Sequence, residues 1–66
     1  MDFYKQYMMR YMMTDAESRR SAKQHWVKCH LENVASGRDD LIIFSAKILG
    51  AIDIADDILS SRVANA

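Results

Sequence analysis

The stretch from Leu41 to Leu59 constrains this chain more than any other, because its apolar residues fall on more than one side of a helix. An α-helix turns by about 100° per residue. On that wheel Leu41, Phe44, Ile48, Ala51, Ile52, Ala55, Ile58 and Leu59 form one stripe, whereas Ile42, Ile43, Ala46, Leu49 and Ile54 lie away from it. A helix that is apolar around most of its girth has to be surrounded. The remainder of a 66-residue chain supplies only two shorter segments for that purpose. We therefore expect the leftover face, with Ile42, Ile43, Leu49 and Ile54, to be an oligomer interface. A second subunit would lay its third helix, or its aromatic first helix, across it.

Two breaks divide the sequence into three helices. Thr14-Asp15-Ala16-Glu17 has the spacing of a capping box, with the threonine as cap and the glutamate reaching back to it. This predicts a helix over residues 15–35. Ser36-Gly37-Arg38-Asp39-Asp40 then offers a glycine to close that helix, and aspartates suited to the positive end of the next, over 40–62. There is no proline to interrupt any of them. The expected fold is all-α: one small three-helix domain over residues 1–66, made of a short N-terminal helix and a long antiparallel helical hairpin, assembled as a homodimeric helical bundle.

The first helix, over 2–13, sets Tyr4, Tyr7, Met8, Tyr11 and Met12 at the spacing of one stripe, widened by Phe3, Met9 and Met13. A helix this short is marginal alone, so the stripe must dock. Methionine adapts to surfaces of different shape and tyrosine gives large contact area at low entropic cost, which makes the stripe a candidate partner-binding face. The same side chains can equally cover the third helix, and a swapped dimer allows both. In the second helix Ala22, Trp26, Val27, His30, Leu31 and Val34 share one half of the circumference. Ser21, His25, Lys28 and Glu32 occupy the other half.

The formal net charge is zero but unevenly distributed. Residues 1–38 carry seven basic side chains against four acidic ones, and residues 39–66 two against five, so the halves are +3 and −3. Such halves attract one another within a fold or between subunits, and they also steer charged partners. Arg19, Arg20, Lys23 and Lys28, near Trp26, are the candidate nucleic-acid contacts. They do not form one stripe, since Arg19 and Lys23 fall within the apolar arc while Arg20 and Lys28 fall on other sides. The helix after the turn is also too apolar to lie in a wet major groove.

Signatures of catalysis are missing: there is no glycine-rich phosphate loop, serine elbow or zinc-protease motif. His25 and Cys29, four apart, could share a metal ion, but two further ligands have no place in the spacing. Cys29 reads better as a small hydrophobe at the core edge, and His30 as a core-edge histidine bonded to a carbonyl or hydroxyl. Asp53, Asp56 and Asp57 share a face with Ser60, and a solvated or salt-bridged face is the better account of them than a magnesium site. We expect no cofactor and no metal.

With one cysteine no internal disulfide forms, and a lone thiol suits a reducing cytoplasm. The first residues do not read as a signal peptide, and no apolar run approaches the ~20 residues of a membrane span. A chain of this length beginning with methionine also fits the accessory proteins that bacteria and their phages encode. The expectation is a non-enzymatic, cytoplasmic, dimeric helical module that binds another protein as adaptor, inhibitor or regulator. The alternative is a small nucleic-acid-associated transcriptional regulator using the basic second helix.

Overall fold

The computed structural model describes residues 2–64, which form three helices: α1 (Phe3–Met13), α2 (Ala16–Ser36) and α3 (Asp39–Ala64). Each boundary has a local cause. Asp2 caps α1, its carboxylate accepting from the Tyr4 amide at 3.0 Å. The cap of α2 is Asp15 and not Thr14, which corrects the capping-box reading by one residue. Asp15 accepts from the Ser18 amide at 3.2 Å, while Thr14 closes α1 by donating its hydroxyl to the Tyr11 carbonyl at 2.7 Å. The division follows from chemistry. A carboxylate is the stronger acceptor at the positive end of a helix, and only the hydroxyl can donate to a carbonyl left open at the other end. The Ser18 hydroxyl and amide together hold the Asp15 carboxyl below the usual carboxylate range.

Gly37 ends α2 in the left-handed conformation, with φ at 67°, a position that costs any residue with a Cβ. Its amide donates to the Val34 carbonyl at 3.1 Å and the Arg38 amide to the Asn33 carbonyl at 3.2 Å, so the last carbonyls of α2 are satisfied. The chain restarts immediately at Asp39 and Asp40, whose charges complement the start of α3.

Helix α3 is the central member, and α1 and α2 both pack on it. Ile48, Ile52 and Ala55 are fully buried and join Tyr11 as the core. Tyr4, Tyr7, Met8 and Met12 from α1, Ala22 and Trp26 from α2, and Phe44 and Leu49 from α3 form the shell around it. Trp26 ties the helices together, meeting Phe44 edge-on at 5.7 Å and Tyr7 at 6.2 Å between ring centroids. Within α1 the widened stripe narrows: Met9 and Met13 are exposed, because they lie on the side of the helix turned from α3.

The hairpin of α2 and α3 is antiparallel. Lys23 reaches Asp53 and Asp56, while His30 and Asn33, two turns or more further along α2, bond Ser45. The apolar half predicted for α2 splits lengthwise. Ala22, Trp26 and His30 turn inward, whereas Val27, Leu31 and Val34 are exposed, and α2 contributes no fully buried residue at all.

Candidate functional site

The side chains singled out in the sequence separate into those the subunit uses internally and those it leaves facing solvent. The α1 stripe belongs to the first group. Tyr11 is buried, and Tyr4, Tyr7, Met8 and Met12 lie half-buried against the core. The Tyr11 hydroxyl donates to Asp56 Oδ1 at 2.8 Å, and the other carboxylate oxygen of Asp56 lies 3.5 Å from Lys23 Nζ. Burial, followed by the hydrogen bond to Asp56 and its negative charge, pushes the Tyr11 phenol up to about 12. Tyr, Asp and Lys from three different helices thus close one polar seam at the edge of the core.

A second polar knot joins α2 to α3 near the turn. Ser45 is fully buried, and its hydroxyl donates to the Leu41 and Ile42 carbonyls at 2.8 and 3.1 Å. With that single proton committed, the serine oxygen accepts from His30 Nδ1 at 2.7 Å and from Asn33 Nδ2 at 3.4 Å, and Asn33 also donates to the Leu41 carbonyl at 3.1 Å. His30 therefore occupies the core-edge role expected of it, with a hydroxyl partner. Sequence reasoning passed over Ser45 and Asn33. The available signal was a serine at i+4 within the stripe Leu41, Ile48, Ile52, a polar residue where only a satisfied one is tolerated.

The four basic candidates do not converge. Arg19 donates to the Thr14 carbonyl across the α1–α2 link. Lys23 is engaged with Asp53 and Asp56, leaving Arg20 and Lys28 exposed on α2. Cys29 Sγ and His25 Nε2 approach to 3.6 Å, and among the described residues no group of three or more His, Cys, Asp or Glu side chains is placed to hold a metal ion. Nor, among the described residues, is any helix long and apolar enough to cross a membrane.

No protein-family model, curated protein or solved structure matches the chain. The site must therefore be read from its own surface.

The four residues expected at an interface divide evenly. Leu49 and Ile42 are half-buried, with Leu49 in the shell of the subunit's own core, while Ile43 and Ile54 remain 55% and 56% exposed. The third helix is thus not enclosed by its own chain. Ile54 lines an open groove between α1 and α3, with Tyr4, Met8, Lys47 and Gly50. On α2 a second open groove runs along Val27 and Leu31, bordered by Arg20, Lys23 and Lys28. The wheel places Val27, Leu31 and Val34 on the side of the hairpin opposite α1, together with Ala46, Asp53 and Asp57 of α3, while Gly50 opens onto the α1 groove.

Gly50 has no steric reason to be glycine within the subunit. Its backbone is ordinary helix, and a Cβ built there meets nothing within 4 Å. A glycine in mid-helix lowers stability by about 0.5–1 kcal/mol relative to alanine. Inside the subunit nothing offsets that cost.

Proposed function

We propose that this protein is a non-enzymatic helical association module, cytoplasmic and homodimeric, whose surface regulates or links other proteins by direct contact. The observation that carries the reading is the set of large apolar side chains left in solvent by a well-capped and otherwise satisfied fold: Val27, Leu31, Val34, Ile43 and Ile54. So many large apolar side chains exposed on so small a domain signal contact with protein. The titratable groups support the same reading, because Tyr11, Asp56, Lys23 and His30 are engaged in joining helices and do not converge on an enclosed cleft. The lone thiol of Cys29 fits a reducing compartment.

The nucleic-acid alternative loses two of its four basic residues to internal contacts, Arg19 to a carbonyl and Lys23 to carboxylates. Sedimentation equilibrium over a wide concentration range, repeated at low and high salt, tests the proposal. Self-association that persists or strengthens as salt rises supports it. A chain that stays monomeric but binds duplex DNA with an affinity falling steeply with salt overturns it.

A further inference from the structure

The bare side of the α2–α3 hairpin is complementary to itself. Resting on the reading of the chain as an association module, we infer that a second copy of this chain docks there, about a twofold axis parallel to the hairpin, so that each α2 lies over the partner's α3.

The register comes from contacts within one subunit. Lys23 is level with Asp53 and Asp56, and His30 and Asn33 are level with Ser45. Carrying this antiparallel register along both helices sets Arg20 level with Asp57 and Leu31 with Ala46. A twofold axis along the hairpin exchanges the helices but keeps the levels, so the same pairs meet again across the interface.

Three features of the surface fit that arrangement. The α2 edge is a ridge, with Val27, Leu31 and Val34 exposed, while the neighbouring α3 edge is low, with the small side chain of Ala46 exposed. The symmetry places the ridge over the low edge, with Leu31 against the small Ala46 of the second copy. The ends are charged in the matching sense, because Arg20 on α2 meets the carboxylate of Asp57 on the partner's α3. Both are exposed and neither has an ion-pair partner among the described residues. The contrast between a basic first half and an acidic second half becomes attraction between copies as well as within each one. Four helices, two from each copy, then enclose Ile42 at the interface, whereas Ile43 and Ile54, close together on the α3 wheel, stay outside it, Ile54 on the α1 groove.

The test measures the dimer dissociation constant by sedimentation equilibrium for the whole chain and five variants, with helix circular dichroism to verify folding. Leu31→Glu, on a side chain 63% exposed in the subunit, keeps the fold and weakens the dimer by about 100-fold or more, as expected for a charge forced into an apolar contact. Ala46→Leu, at an exposed position where leucine is a good helix former, keeps the fold yet weakens the dimer by at least about tenfold. Arg20→Asp weakens it, and Arg20→Asp combined with Asp57→Arg restores it. Ile54→Glu, equally exposed but on the other groove, leaves the dissociation constant unchanged. A dimer that tolerates Leu31→Glu and Ala46→Leu but falls apart with Ile54→Glu overturns this face while leaving the association reading intact. An unaltered chain that is monomeric throughout overturns both.

Discussion

Replacing Tyr11 with phenylalanine isolates one hydrogen bond in a place where its worth can be estimated. The ring is 5% exposed and stays buried in the variant, so the change removes only the hydroxyl that donates to Asp56 at 2.8 Å. A hydrogen bond to a charged acceptor contributes about 1.5–3 kcal/mol. Asp56 keeps Lys23 at 3.5 Å and its side chain is 35% exposed, so the carboxylate is not stranded when the phenol goes. The lower end, about 1.5 kcal/mol, applies, equivalent to a fall of about 6–12 °C in melting temperature for a domain of this size. Alkaline pH supplies the control. The folded phenol is pushed up to about 12, whereas an unfolded tyrosine ionises near its ordinary value of 10. The stabilisation is therefore complete below about pH 10 and is lost as pH climbs toward 12, because only the unfolded chain gains from ionising in that window. Urea titrations followed by helix circular dichroism, at neutral pH and in steps from about 10 to 12, should show wild type more stable than Tyr11→Phe at neutrality and the gap closing with alkali. Equal stability at neutrality, or a gap that does not change through pH 12, would refute the seam between α1, α2 and α3.

Ile52→Ala empties a fully buried site beside Ile48 and Ala55 and should cost about 2–5 kcal/mol, enough to leave so small a domain largely unfolded in a thermal melt. Gly37→Ala places a Cβ at φ 67° and should destabilise by about 1–2 kcal/mol in urea titration, the opposite sign to alanine at Gly50. Asp15→Ala should lower the melting temperature more than Thr14→Val does. Because the folded carboxyl titrates below its ordinary value, the difference between wild type and Asp15→Ala should be present at neutral pH and vanish as pH falls through the acid range.

The helices and their breaks were legible because caps and glycines act locally. Gly37 has one conformational reason to stand where it does, and the stripe of Ile48, Ile52 and Ala55 could face only inward. The internal duties of Arg19 and Lys23 were only half legible: their place in the apolar arc of α2 spoke against one basic stripe, but their partners Thr14, Asp53 and Asp56 lie on other segments. What single-helix wheels do not contain is the angle between neighbours. Val27, Leu31 and Val34 share an arc with Trp26 and His30, and only the position of α3 and α1 decides which edge is covered. The same holds for Gly50, since only the placement of the neighbouring helices shows that it faces open space. Thr14 and Asp15 were ambiguous for another reason, both being good caps, and the choice depended on which carbonyl α1 left open.

That α2 places none of its residues wholly out of water has a consequence for the order in which the molecule comes apart. Its amides should exchange with solvent through a partial opening that leaves α1 seated on α3, well before global unfolding exposes Ile48 and Ile52. Anything that covers this helix raises the free energy of that opening by mass action. Slowing of α2 exchange with protein concentration would therefore report occupancy of the surface directly, residue by residue, without a label.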